Sequence, residues 1–387
     1  MPVPPMALHS RRAVMGFLAV VVSLSGACQS GADRGAVPPS ERGAAKSDPV
    51  SEAPPRPCQR APLEARAAAV LVVGIGNATT AEAPLPSSVS ALEVGGVIVL
   101  RPNVVDAAQV RALTSGLRQR SPRGLLITVD EEGGRVSRLR PVLGATPSAR
   151  TLGQRPLPEI ADAAAKRGAT MRDLGFDLSF APVVDADGGA AEAAIGDRSF
   201  AVTPAEAGMR ASAFAAGLAR AGLGATAKHF PGQGGLADSH DGRVVSNTPL
   251  DQLRTAAAAG FRPAIEGRVP AVMMSHVTYA ALGPLPASLE PAAYRLLRSF
   301  GFNGVAVTDA LGMSAITDRW SIPQAAAMAL AAGADLVLVN QGDQAQAMRD
   351  AIVAAVADGR LPEGRLDQAL SRVLTLRGQD PATMVCS

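Results

Sequence analysis

From residue 61 onward, short apolar runs alternate with longer Ala-rich stretches in which apolar positions recur every three or four residues. The runs cover 68–74, 95–100, 124–129, 177–184, 225–230, 271–277, 304–308 and 335–339. Most are short and β-branched, the pattern of parallel strands buried on both faces. Between them, 105–117, 158–174, 204–221, 250–258, 291–300 and 323–332 predict helices. Several open with a proline in the first turn, where its missing N–H costs nothing. Two further helices, 343–358 and 362–376, are predicted to close the domain. Eight β-α alternations predict an α/β fold, a single-domain (β/α)8 barrel of the TIM type. The rival is an open doubly wound sheet. That fold usually places a Gly-rich phosphate loop after its first strand. Here the strand ends Gly74-Ile75-Gly76-Asn77, without the third glycine.

The N-terminal end carries a different pattern. Arg11 and Arg12 precede an apolar run, 13–24, that is too short for a comfortable membrane span. Ser25, Gly26, Ala27 and Cys28 follow, which completes the layout of a signal peptide over 1–28. Ser10-Arg11-Arg12 resembles a twin-arginine export signal, and 24–28 resembles a lipoprotein cleavage box. In that reading Cys28 is lipidated and anchors an exported protein to a membrane of the cell envelope. Ordinary cleavage near Ala27 is the alternative. Residues 29–60 are rich in Ala, Gly, Ser and Pro without an apolar period, and predict a flexible tether. The barrel domain is expected over 61–378, with a tail at 379–387. Export implies an oxidising compartment, and the first and last elements of a closed barrel are neighbours. Cys58 and Cys386, at the two ends of the domain, are therefore expected to form a disulfide.

Composition narrows the function classes. Of 387 residues, 47% are hydrophobic but only 3% aromatic, which suits small aliphatic strands wrapped by Ala-rich helices. Lys and Arg number 37 against 34 Asp and Glu, and the positive charges are scattered without interleaved aromatics. No nucleic-acid partner is expected.

In such a barrel, functional groups gather where strands end. The third run leads into Asp130-Glu131-Glu132-Gly133-Gly134-Arg135-Val136-Ser137-Arg138. Three consecutive carboxylates there are costly unless a ligand or cations engage them, although a solvated loop of mixed charge has the same composition. The fourth run leads through Asp185 to Gly196-Asp197-Arg198-Ser199-Phe200, where Arg198 can grip oxygens with its rigid fork of donors or pair with a structural Asp. The fifth ends Lys228-His229-Phe230-Pro231-Gly232-Gln233 and continues to Asp238-Ser239-His240. In a bent loop Asp238 can meet His240, orient its ring and favour the charged form; an exposed polar loop is the plainer alternative. The sixth run ends at His276, a possible contact for a substrate. The seventh ends Thr308-Asp309-Ala310, where Asp309 is either a functional carboxylate or the cap of a helix. Apart from His9, the chain's histidines all follow these runs. No HExxH or close ligand pair is present, so neither a metal nor a cofactor is expected.

Taken together, these segments resemble glycoside hydrolase family 3, in its single-domain β-N-acetylhexosaminidase branch, including exported lipoproteins of that branch. The resemblance runs from about Leu71 to Leu376, in the same order. It implies a retaining, two-step mechanism acting on a terminal, non-reducing β-linked N-acetylhexosamine. Asp309 matches the nucleophile, His240 the general acid/base and Asp238 its partner. Asp130, Arg138, Arg198, Lys228 and His229 match residues that bind the sugar. A small carbohydrate is the implied substrate, and export suggests a muropeptide from peptidoglycan. Two alternatives stay open: a phosphorylase that uses the same site, and a silent sugar-binding lipoprotein. Gln233, where the family often has His, and the unusual 241–246 segment leave the leaving-group side undefined. Trp320, Tyr279 and Tyr294 are the aromatic platforms available beside the phenylalanines, which fits a pocket for one sugar.

Overall fold

The computed structural model describes residues 60–188 and 194–386. The expected signal segment, all but the last residue of the tether, Cys28 and Cys58 lie outside the described residues. Cys386 is disulfide-bonded.

All eight apolar runs contain a parallel strand: β1 Leu71–Gly74, β2 Gly96–Val99, β3 Leu126–Val129, β4 Leu178–Ser179, β5 Gly224–Phe230, β6 Ala271–Met274, β7 Val305–Thr308 and β8 Val337–Val339. They pair in chain order from β1 to β7, and β8 lies beside β1. A parallel bridge from Val307 to Leu336, with the Thr308 N–H donating to the Leu336 carbonyl at 3.1 Å, closes the ring. The result is the expected (β/α)8 barrel. Alternation along the strands divides the apolar side chains. Val72, Ile98, Leu126, Phe180, Met273 and Leu338 pack together inside the ring, while Leu71, Val73, Val97 and Val99 pack outward in the core shared with the helices. At the end of β1, a Cβ on Gly74 would fall 2.0 Å from the Asn340 carbonyl oxygen, so glycine is what lets the tips of β1 and β8 approach.

The helices begin where capping chemistry dictates. Thr203 accepts the Glu206 N–H ahead of Pro204–Arg220, Ser321 accepts the Gln324 N–H ahead of Ile322–Ala332, and Asp106 accepts the Gln109 N–H ahead of Ala107–Gln119. Three expectations need correction. The helix read as 250–258 runs on through Leu250–Glu266, across Gly260 and Pro263. Tertiary packing overrides the low propensity of these residues: the Gly260 carbonyl would sit 2.3 Å from a Cβ on Gly208, so two glycines allow a close crossing with Pro204–Arg220. The strand read as 177–184 pairs continuously only over Leu178–Ser179, with one isolated bridge at Val183, because Pro182 has no N–H to offer a ladder. The run 271–277 stops as a strand at Met274. The helices Leu63–Ala68 and Pro84–Ala91 went unread, being short and weakly patterned.

The far wall is fastened by a buried ion cluster. Asp335, with its side chain fully buried, receives Arg298 Nη2 at 2.5 Å, Arg365 Nη2 at 2.7 Å, Arg372 Nη1 at 3.0 Å and the Ala306 N–H at 2.9 Å. It joins β7 to the helices Pro291–Ser299 and Glu363–Leu376. Removing the carboxylate would leave three guanidiniums facing one another without a counter-charge. Asp335→Ala is therefore expected to cost about 3–5 kcal/mol, to be measured by urea denaturation.

Candidate active site

β3 ends at Val129, and the chain passes through Asp130 into a tight hairpin in which Glu131–Gly133 pairs antiparallel with Val136–Ser137. The hairpin brings Asp130, Glu132 and Arg138 to the mouth of the barrel. Lys228, within β5, rises beneath them with its side chain 3% exposed. Its Nζ donates to Asp130 Oδ1 at 2.6 Å and lies 2.6 Å from Glu132 Oε1. Arg198 grips Glu132 with two parallel bonds, Nε to Oε2 at 2.8 Å and Nη2 to Oε1 at 2.9 Å. Arg138 Nη2 reaches Asp130 Oδ2 at 3.4 Å. The result is one alternating chain of charges, Arg138–Asp130–Lys228–Glu132–Arg198. Burial alone would raise the Glu132 carboxyl, but the adjoining Arg198 and Lys228 charges hold it well below the usual range. Burial would likewise lower the Lys228 ammonium, and Asp130 and Glu132 outweigh it, keeping the group above its ordinary value.

Asp309 follows β7 directly. Its Oδ1 accepts the Ala310 N–H at 2.7 Å, and its side chain is 17% exposed. Burial pushes its carboxyl upward, but His229, His276, the Ala310 N–H and Lys228 together hold it below the usual range, so it stays ionised. His229 is aimed at it. Nδ1 bonds Asp185 Oδ2 at 2.6 Å, which leaves Nε2 3.9 Å from Asp309 Oδ2. Asp185, fully buried, also accepts the backbone N–H groups of His229 at 3.0 Å and Gln233 at 2.6 Å, and so locks the tip of β5 and the start of its loop.

The loop after β5 carries Asp238 and His240. Asp238 Oδ1 accepts the His240 backbone N–H at 2.9 Å and lies 2.7 Å from its Nδ1, so Nε2 is the free ring nitrogen. Burial would raise the Asp238 carboxyl; the two contacts from His240 and its charge bring it below the ordinary range. This pair is exposed, at 41% and 63% for the two side chains, on the rim rather than the floor. Asp130, Arg138, Arg198, Lys228, His229, His240 and Asp309 all line one hollow of about 130 Å³ at the C-terminal ends of the strands, floored by Phe180 and Met273.

His276 is a correction. It is 1% exposed and does not line the hollow. Its Nε2 donates to the Ala310 carbonyl at 3.0 Å, which leaves Nδ1 to accept from Ser288 Oγ at 2.7 Å. Burial lowers its pKa more than Asp309 raises it. It braces the backbone beside Asp309 and cannot touch a substrate. Tyr279 and Tyr294 are not platforms either: both are buried and donate their hydroxyls to the carbonyls of Gly232 and Ser288. Conversely, sequence reasoning left Glu132 and Asp185 out of the site. Asp185 carries the same signal that singled out Asp309, a lone carboxylate closing an apolar run.

Glu131 points the other way from its neighbours. It is 1% exposed, Oε2 accepts the Leu139 N–H at 2.9 Å, and Oε1 is buried with no hydrogen-bond partner. Burial raises its carboxyl, more than the Leu139 N–H and the nearby Arg167 charge lower it. A raised folded-state value means that folding favours the protonated acid. Stability is then lost as pH rises from the ordinary glutamate range through the raised value. Glu131→Gln, a neutral isostere, is expected to abolish that loss. Urea midpoints of the two proteins should diverge as pH rises; parallel curves would contradict the assignment.

A closed barrel with an ionised carboxylate, an array of paired charges and an Asp–His pair around one hollow at its mouth has the layout of a barrel enzyme's active site. Comparison with known proteins agrees. Residues 64–376 match the glycosyl hydrolase family 3 N terminal domain, and the chain belongs to that family. It is 37% identical to the β-hexosaminidase LpqI of Mycobacterium tuberculosis, over 95% of this chain and 97% of that protein. Among solved structures it is similar to a family 3 β-N-acetylglucosaminidase from Paenibacillus sp. (TM-score 0.78, 32% identity, covering 84% of this chain and 64% of that one). It is also similar to a family 3 glycosyl hydrolase from Mycobacterium smegmatis (TM-score 0.75, 38% identity, covering 81% and 97%). The chain is a glycoside hydrolase, and its substrate is a small carbohydrate.

Proposed function

We propose that the protein is a retaining exo-β-N-acetylglucosaminidase that removes terminal N-acetylglucosamine, with exported muropeptide fragments as its source of substrate. One observation carries this reading: ionised Asp309, the charged groups Asp130, Lys228 and Arg198, and His240 with its Nδ1 side taken by Asp238, line a single hollow. In the first step an Asp309 oxygen attacks the anomeric carbon. The glycosidic bond breaks, and the leaving oxygen takes a proton from His240 Nε2. In the second step water attacks the same carbon, gives its proton to His240 and releases Asp309. Asp238 holds the ring so that Nε2 faces the bond. Asp130, Arg138, Arg198, Lys228 and His229 hold the terminal sugar's hydroxyls. An exposed imidazole takes the part that a second carboxylate plays in most retaining glycosidases, and it leaves the leaving-group side open to bulky aglycones. Export through the 1–28 segment, with Cys28 acylated, would put the enzyme in the cell envelope where such fragments arise.

The test is product analysis on purified muropeptides, with and without inorganic phosphate, beside aryl N-acetyl-β-glucosaminide and aryl β-glucoside. Free N-acetylglucosamine whatever the phosphate, with strong preference for the acetamido sugar, is expected. A sugar phosphate would make the enzyme a phosphorylase, and equal rates on the glucoside would overturn the specificity.

A further inference from the structure

A larger cavity, of about 380 Å³, opens at the opposite end of the barrel, where β3 and β5 begin. None of the groups described above lies there. Its wall holds three guanidiniums, Arg118, Arg172 and Arg377, and one carboxylate, Asp177. That leaves an excess of two positive charges. Asp177 is already divided between two of them: both of its oxygens lie 2.8 Å from Arg118 Nη2, and Oδ1 lies 3.0 Å from Arg172 Nη1. Those arginines also donate to carbonyls of the turn that follows the helix Leu157–Asp173, Arg118 to Gly175 and Arg172 to Phe176. Arg377 has no such relief. Its Nη2 is held by the carbonyls of Arg123 and Gly124, its Nε is buried without an acceptor, and among the described residues no carboxylate lies within the 4.0 Å of an ion pair. Burial brings its pKa down to about 10, with Asp177 opposing only in part. Arg377 is therefore a partly buried cation whose Nε has no acceptor, and an anion beside it would supply the missing acceptor and counter-charge. The cavity's volume falls within the range of ligand-holding clefts, about 300–1,000 Å³.

We infer that this cavity is a binding site for a small dianionic oxyanion, inorganic phosphate or a phosphate monoester, held by Arg377 with Arg118 and Arg172. Guanidinium forks match phosphate oxygens in geometry as well as charge. The site is separate from the sugar hollow, so its occupancy does not require the chemistry proposed there.

The experiment is calorimetric titration of inorganic phosphate into the full chain at constant ionic strength, with chloride as control. Saturable binding to wild type is expected. It should weaken at least tenfold in Arg377→Gln and in Arg172→Gln, each checked for native circular dichroism, with hydrolysis of an aryl N-acetyl-β-glucosaminide unchanged. The second variant serves if the first fails to fold. A parallel arm uses vesicles: Arg377-dependent sedimentation with phosphatidic acid, a phosphate monoester, but not with phosphatidylcholine would assign the phosphate to a lipid headgroup, and its absence to a free anion. No saturable binding, or binding that survives both substitutions and is lost instead in Lys228→Met, would overturn the site.

Discussion

Asp309→Ala is expected to lower turnover of an aryl N-acetyl-β-glucosaminide by about 10⁴-fold or more, with the fold intact. Among the described residues the carboxylate's only hydrogen bond is to the Ala310 N–H, so little structure hangs on it. What depends on it is the covalent step. His229, His276 and Lys228 keep the group ionised and therefore nucleophilic against the effect of burial. The deletion also vacates space at the attacking position. Azide should restore part of the lost rate and yield a glycosyl azide of inverted configuration. A variant that melts like wild type yet keeps its rate would exclude Asp309 as nucleophile.

The second large effect concerns the rim. His240→Ala should slow a substrate with a poorly leaving alcohol by about 10²–10⁴-fold, the range of general acid catalysis. It should slow release of dinitrophenolate far less, because that group departs without a proton. Asp238→Asn should act in the same direction. It replaces the acceptor of the Nδ1 contact with an amide that can also donate, so the ring is no longer held in one tautomer with Nε2 forward. The diagnostic is a steep dependence of the variants' rates on leaving-group pKa. A uniform loss across all leaving groups would instead indicate a role in binding.

The barrel was legible because its strands are buried on both faces: an apolar run of five to eight residues has few other uses in a chain this poor in aromatics. The ends of elements were less so. Pro182 and the 260–263 segment show why, since a missing N–H shortens a strand that hydropathy alone extends, while a close Gly208–Gly260 crossing lengthens a helix that propensity alone would stop. In the site, residues at strand tips were readable by position and their pairings were not. Nothing in the run Asp130-Glu131-Glu132 says that the first and third carboxylates share Lys228 while the second turns inward to Leu139. That division follows from the hairpin, where alternate residues take opposite faces. His276 misled for the same reason: its place after β6 was right, but both ring nitrogens are spent on Ala310 and Ser288.

Brief incubation with a 5-fluoro-N-acetylglucosaminyl fluoride, followed by intact-mass and peptide mapping, reads the covalent step itself. A single added sugar located on the peptide that contains Asp309, and absent from Asp309→Ala, is the expected result. Consumption of the reagent with no adduct, or an adduct on another carboxylate, would contradict it.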